Sequence, residues 1–402
     1  MRIERIEVVA VRVSPPPEQA ALRALRGEWI LVAIHSEIGL AGYGEATHSG
    51  DDQAVSALIR QAGARHLAGW ELSLDGEPQL ARHGVRPRPA AHWLETVFAP
   101  GGGRVAATAL SAMEQALWDL AARGAGRPLH VALAQPGERR AAGAPAAVPL
   151  YATLNRGIFD RTPEGFAAAA RRAVAEGFRA VKCAPFDGVA RGGGPSAERE
   201  AAVAVGLERV AAVREAIGAA VELMVDCHGR FSEGEAVQVA RRLEPFRLRW
   251  LEEPVPFDPD PAPLARVRRM APMPIAAGEL LFGVEGFRPL LEHGAADVIM
   301  PDVKHCGGLA AAHAIAGLAA DYGVAVAPHN PSGPLSTLAS AHLCAALANA
   351  PLLEYAWGEV PWRASLLRPP ERVAGGALHL PAGPGLGAAV DGTVLAARRA
   401  EG

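Results

Sequence analysis

At 402 residues, half of them hydrophobic and 21% charged, the chain exceeds one ordinary core and has a globular composition. Its formal net charge is -3 and its Lys and Arg are dispersed among Asp and Glu, so no basic stripe suits nucleic acid or an anionic membrane. The opening MRIERIEVVAVRV mixes charges into its apolar residues and reads as neither signal peptide nor membrane span, while Cys183, Cys227, Cys306 and Cys344 lack any C-x-x-C pairing, so a reducing cytoplasm is the simplest setting.

Strands are predicted over Arg2 to Val13, Trp29 to Ser36 and Leu40 to Glu45, the last two joined by a short turn at Glu37-Ile38-Gly39. The intervening PPPEQAALRALRGE, Pro15 to Glu28, is too proline-laden at its start for a sheet and reads as a flap. Thr108 to Arg123 has apolar residues at helical spacing, with Gly124 and Gly126 as a stop. Residues 1–147 therefore read as an α+β domain.

From Val148 the chain alternates short apolar strands with amphipathic helices. Strand ends are predicted near Thr153, Lys182, Asp226, Glu252, Gly278, Asp302, Pro328 and Glu354, and from Asp226 onward they recur every 23 to 27 residues. Thr162 before Pro163 reads as a helix cap, and Ser232 with Glu235 as a capping box. Eight such units suit a closed barrel over 148–360 better than an open doubly wound sheet, the alternative. Residues 361–402 follow as a carboxyl-terminal segment.

A barrel places function at the carboxyl ends of its strands. Those ends carry Lys182 (AVKCAPF), Asp226 and His228 (VDCHGRF), Glu252 and Glu253 (WLEEP), Glu279 (AAGEL), Asp302 (IMPDVKHCGG), His329 (AVAPHNPSG) and Glu354 (LLEYAWGE). Strand alternation turns Asp226 and His228 one way and Cys227 the other. Asp226, Glu252 and Glu279 on successive strands supply the hard oxygen ligands that Mg2+ favours, and Cys227 facing away weakens a zinc or iron reading. Glu253, opposite to Glu252, reads as structural, and Arg230 as either a substrate contact or a salt-bridge partner.

Over nearly its whole length the sequence resembles the enolase superfamily, within it the mandelate racemase subgroup. The resemblance rests on GLAGYGEA (Gly39 to Ala46), LSAMEQALWDLAARGAGRPLH (Leu110 to His130), the strand-end residues above and LPAGPGLGAAVD (Leu380 to Asp391). It implies a (β/α)7β modified TIM barrel, with a capping domain that the carboxyl-terminal segment completes. It implies Mg2+ on Asp226, Glu252 and Glu279, an Asp302–His329 general-base dyad, and Glu354 as a hydrogen-bonding group near the forming enolate. Racemases of the subgroup end the second barrel strand with K-x-K; here the triplet is Lys182-Cys183-Ala184, without the second lysine, so Lys182 is expected to balance charge. Lys304 lies two positions past Asp302, where the muconate-lactonizing subgroup has its lysine, and does not substitute for it. D-x-H followed by Gly-Arg, together with KHCGG and PHNPSGPLS, is similar to acid-sugar dehydratases such as galactonate dehydratase, in which the residue matching His228 protonates the departing hydroxyl. The activity implied is Mg2+-dependent dehydration of an aldonate or aldarate to a 2-keto-3-deoxy acid through an enediolate. Alternatives are a racemase or epimerase of an α-hydroxy carboxylate, an inert carboxylate binder, and a His228 that only orients Asp226. The expected partners are a small carboxylate and further copies of the chain, dimer to octamer. Specificity is expected from the Pro15 to Glu28 flap, the Thr47 to Asp52 loop and the rim after Glu354, including Trp357 and Glu359.

Overall fold

A computed structural model of the chain describes residues 1–13, 28–47, 50–72, 103–134, 147–194 and 196–398. The expected flap, apart from Glu28, and residues 48–49 of the Thr47 to Asp52 loop lie outside them.

The first domain holds an antiparallel sheet of β1 (Ile3–Arg12), β2 (Glu28–Ser36) and β3 (Ala41–Glu45), with helices α1 (Asp52–Ala62), α2 (Gly103–Gly124) and α3 (Leu129–Leu133). Helix α2 starts five residues before its predicted start at Thr108 and is buried along most of its length, because it lies between the sheet and the barrel. Two glycines permit that approach. A Cβ on Gly42 would stand 2.2 Å from the Ala116 carbonyl oxygen, and one on Gly44 would stand 2.2 Å from that of Ala112.

Eight parallel strands follow: β4 (Ala147–Thr153), β5 (Ala180–Cys183), β6 (Glu222–Asp226), β7 (Trp250–Glu252), β8 (Ile275–Ala277), β9 (Val298–Ile299), β10 (Ala325–Val326) and β11 (Leu353–Tyr355). Their ladders run β11-β4-β5-β6-β7-β8-β9-β10, and seven helices alternate with them. These are α4 (Pro163–Ala175), α5 (Ala197–Ile217), α6 (Glu233–Leu243), α7 (Ala262–Met270), α8 (Gly283–Glu292), α9 (Leu309–Asp321) and α10 (Pro334–Ala346). The architecture is the (β/α)7β barrel that the family resemblance implied, and the spacing had favoured a barrel over an open sheet. Both caps form: Thr162 Oγ1 accepts from Gly165 N at 3.2 Å, and Ser232 exchanges bonds with Glu235.

Tyr151, Ala180, Met224, Trp250, Ala276, Met300, Ala327 and Leu352 fill the barrel, one from within or beside each strand, with large and small side chains mixed. This layer is the floor of the site. Period-two alternation means that the residue two further along each strand faces the same interior one level higher. Those residues include Thr153, Lys182, Asp226, Glu252 and Glu354. Val181, Val225 and Leu251, of opposite parity, pack outward in the core under the helices.

After the barrel, β12 (Leu367–Arg368) pairs with β15 (Ala389–Val390), while β13 (Arg372–Ala374) and β14 (Ala377–His379) form a hairpin that adds to β4. The same segment bonds the first domain: Leu129 N donates to the Gly385 carbonyl at 2.7 Å and Leu386 N to Asp119 Oδ1 at 2.7 Å. No helix among the described residues is long and apolar enough to cross a membrane. The four cysteines are buried and none forms a disulfide.

Where α3 meets α10, the His130 ring stacks on the His342 ring with centroids 5.3 Å apart. His342 Nδ1 accepts from His130 N and its Nε2 reaches the Leu386 carbonyl, both at 3.2 Å. Burial and the neighbouring His130 push His342 down to about 3.

Two outcomes follow for stability. Gly44→Ala forces a methyl into the Ala112 carbonyl and is expected to lower the unfolding free energy by about 1–3 kcal/mol, read from urea midpoints. For His342, the unfolded chain takes up a proton below its ordinary pKa near 6.5 while the folded chain stays neutral to about 3. Folding stability should therefore fall as pH drops through that window, by up to about 1.4 kcal/mol per pH unit from this group. A His342→Gln variant should lose less stability than the parent between pH 6.5 and pH 4; parallel urea curves for the two proteins would contradict this.

Candidate active site

The barrel mouth collects the expected residues. Asp226 and Glu252 close β6 and β7 in paired register, and Glu279 follows β8 after Gly278, whose φ of 112° bends the chain as few side chains allow. Carboxylate oxygens of Asp226, Glu252 and Glu279 all lie within 4.8 Å of one another. Lys182 Nζ, almost fully buried, reaches Glu252 at 2.8 and 3.0 Å and Glu354 at 3.1 Å. Burial alone would lower the Lys182 pKa, but Glu252 and Glu354 outweigh it and hold the ammonium well above its ordinary value. Lys182 is thus spent on two carboxylates, in keeping with a charge-balancing place.

That one cation does not match the local charge. Burial, helped by Asp226, Glu354 and Glu279, pushes Glu252 up to about 8 against the pull of Lys182. Burial and Glu279 push Glu253 to about 8 as well. A cluster of converging carboxylate oxygens with surplus negative charge suits a hard divalent cation, and the trio could hold one. Cys227 is buried away from the trio, and burial with Asp226 keeps its thiol pKa well above normal, so it offers no thiolate ligand.

His228 lies beside Asp226, but not by strand alternation as the sequence suggested. Strand β6 ends at Asp226; His228 adopts φ of 50° and Gly229 φ of 63°, a left-handed turn that folds the imidazole back. His228 Nε2 stands 2.8 Å from Asp226 Oδ2, and its backbone N donates to Oδ1 at 2.8 Å. The Asp226 charge raises His228 to about 9; burial would raise Asp226, but His228 and Lys182 bring it to about 2.

His329 follows β10. Its Nδ1 donates to Asp302 Oδ2 at 2.8 Å, and its Nε2 lies 3.1 Å from Glu279 Oε2. Burial would lower its pKa, but Glu279, Glu354 and Asp302 carry it up to about 9. Asp302 Oδ2 also accepts from Lys304 Nζ at 2.5 Å, and its Oδ1 from the Lys304 backbone at 2.8 Å. Burial would raise Asp302, yet Lys304, His305 and His329 hold it far below the carboxylate range.

Glu354 lies in β11, where Thr153, Lys182 and Asn330 N reach its oxygens, and Lys182 and His329 overcome burial to keep its pKa below the ordinary value. Trp357 and Glu359 differ from expectation. Trp357 donates from Nε1 to Glu176 at 2.7 Å in an outer cavity of about 260 Å³, and Glu359 is buried against Arg156 and Arg363. Arg230 is bonded to the Val189 carbonyl and has no carboxylate partner among the described hydrogen bonds. Glu253, read as structural, has φ of 40° and accepts from Gly278 N at 3.0 Å. Asn330 escaped the sequence reading although it lies next to His329; its side chain ties Thr337 to the Glu354 carbonyl.

Comparison with known proteins adds the following. The family model described as the mandelate racemase / muconate lactonizing enzyme N-terminal domain matches residues 5–133, and one described as enolase C-terminal domain-like matches residues 165–394. The chain is 34% identical to a D-gluconate dehydratase of Thermoproteus tenax, across 92% of this chain and 70% of that one. It is 30% identical to a D-galactonate dehydratase of Ralstonia nicotianae, across 92% and 91%, and 30% identical to a D-galactarolactone cycloisomerase of Agrobacterium fabrum, across 97% and 96%. A solved mandelate racemase/muconate lactonizing enzyme structure from Labrenzia alexandrii superposes with a TM-score of 0.82 at 28% identity, covering 100% of this chain and 96% of that one.

The carboxylate trio makes a prediction that needs no substrate. Mg2+ at about a hundred times its Kd should stabilise the protein by about 2.7 kcal/mol, and chelation should remove that gain. Glu252→Gln should weaken Mg2+ binding at least tenfold in calorimetry; equal affinity in the variant would remove Glu252 from the ligand set.

Proposed function

The chain belongs to the mandelate racemase/muconate lactonizing enzyme family of the enolase superfamily, and from that footing we propose that it is a hydro-lyase converting an aldonate or aldarate to a 2-keto-3-deoxy acid. The observation that carries this reading is the placement of two imidazoles against one carboxylate cluster. His228 leans on Asp226, and His329 leans on Glu279 and Asp302. An acid and a base set against one cluster suit removal of a proton and a hydroxyl from neighbouring carbons.

Asp226, Glu252 and Glu279 would hold Mg2+, which when bound supplies positive charge to a substrate carboxylate and so acidifies its α-proton. Glu279 leads the charges that raise His329, so with Glu279 engaged in the ligand set the neutral ring takes that proton on Nε2, while Asp302 accepts the Nδ1 hydrogen and keeps the ring in one tautomer. His228, held 2.8 Å from Asp226 Oδ2, gives a proton to the 3-hydroxyl. The C–O bond breaks with its electron pair, water leaves, and the enol becomes the 2-keto-3-deoxy acid. His329 returns its proton to solvent and His228 takes one up. Lys182 pairs with Glu354, which also accepts from the backbone N of Asn330, the residue after His329.

The named activities of the gluconate and galactonate dehydratases support this choice. Racemisation or epimerisation needs a second base across the substrate; Ala184 stands where a lysine would serve, and Lys182 is engaged by Glu252 and Glu354.

With Mg2+ and a panel of aldonates and aldarates, the protein is expected to form a semicarbazide-reactive keto acid. His329→Asn and His228→Asn should each lower kcat by about 10²–10⁴. In D2O, His329→Asn should also abolish α-hydrogen exchange. Unchanged turnover in both variants would end the role assignment, and recovered substrate deuterated at the α-carbon without keto acid would favour epimerisation.

A further inference from the structure

The first domain does not hold the barrel mouth evenly. Its described hydrogen bonds to the barrel loops converge on the two loops that carry Asp302 and His329. At the first, Gln115 Nε2 donates to the Val303 carbonyl at 3.1 Å, Thr108 Oγ1 meets His305 Nδ1 at 2.9 Å, and Ser111 Oγ accepts from Gly307 N at 2.9 Å. Glu114 then accepts from Leu309 N at 2.6 Å and Ala310 N at 2.9 Å, at the start of α9. At the second, Glu45 accepts from Gly333 N at 2.7 Å and Ser336 N at 3.0 Å, at the start of α10. Among the described hydrogen bonds, none runs from the first domain to the loops holding Asp226, Glu252 or Glu279.

We propose that Glu45 is a positioning residue for His329, so that the described contacts of the first domain bear on the proton-transfer half of the site and not on the cation-binding half. The inference rests on the reading of His329 as the base. Residues 329–333 have no regular structure and are held by charged groups from three separate segments. Glu354 Oε2 accepts from Asn330 N at 2.9 Å, Arg363 donates to the Ser332 carbonyl at 2.5 Å, and Glu45 grips Gly333. The approach of Glu45 is close enough to require glycine: a Cβ on residue 333 would lie 2.7 Å from its Oε2. Glu45 is itself fixed, with no exposed surface and a 2.9 Å bond from Thr47 Oγ1. The Gln115 amide donates to both the Glu45 and Val303 carbonyls, so one side chain ties the strand end bearing Glu45 to the Asp302 loop. Loss of the Glu45 carboxylate leaves two buried N–H groups without an acceptor, and the loop must shift to find others. A base displaced by about 1 Å loses about a hundredfold in rate.

The test uses the full chain with Glu45→Ala and Glu45→Gln. Glu45→Ala should lower kcat about a hundredfold while KM changes less than about threefold and the calorimetric Mg2+ affinity stays within about twofold of the parent. Glu45→Gln keeps a carbonyl acceptor for one of the two N–H groups and should recover part of the loss; it decides the matter alone if Glu45→Ala does not fold. Without substrate, amide hydrogen exchange over 327–337 should quicken at least tenfold in both variants, and exchange over 222–232 and 275–282 should not change. Unaltered exchange over 327–337, or faster exchange spread through all three segments with loss of Mg2+ affinity, would overturn the proposal. If the parent protein dehydrates no sugar acid, the functional reading fails while the exchange data still decide the positioning claim.

Discussion

Asp226, Glu252, Glu279 and Glu354 share one barrel mouth, and a single buried ammonium, Lys182, lies among them. Burying this much like charge is costly, and the surrounding groups respond to it. Lys182 divides itself between Glu252 and Glu354, and each imidazole leans on one acid of the trio. Asp302, which has its own ammonium in Lys304, keeps its proton off most firmly and can therefore orient His329. Burial, with the neighbouring carboxylates, pushes Glu252 and Glu253 toward neutrality. A carboxylate cluster that must draw two imidazoles and an ammonium around itself serves stability badly and cation binding well.

What the sequence disclosed depended on how local the cause was. Lys182, Asp226 and Glu252 were legible because strand parity places them one level above Ala180, Met224 and Trp250 in the barrel interior. Glu279, Asp302 and His329 lie just beyond their strands, so their neighbourhood could be read but their geometry could not. His228 was found for an incorrect reason: its contact with Asp226 comes from a left-handed turn that an alternation rule does not contain. Trp357 and Glu359 were assigned to the rim because their position in the chain suggested it. Their side chains are drawn off by Glu176 and by Arg156 and Arg363, partners that no window of local sequence reveals.

The least legible residues are Glu45, Glu114 and Asp119. Each is an unremarked acid in a helix or strand, and each meets backbone donors 195 to 291 residues away along the chain. Such pairs have no periodic signature. Gly42 and Gly44 left the nearest hint, because two glycines in a short strand signal close approach of something to that face. The approaching element, α2, carries two of the three acids.

Carboxylates suit these junctions for a physical reason. Helices α9 and α10 begin in the buried interface, where their first N–H groups have no intrahelical partner and bear the positive end of the helix dipole. An apolar side chain there would leave those donors unsatisfied, whereas a carboxylate satisfies two at once and fixes direction as well as distance. Shape complementarity between apolar faces tolerates sliding; a two-bond grip on a helix start does not. Since the residues just before those two starts carry Asp302 and His329, a junction that secures the domains also limits where the base can lie.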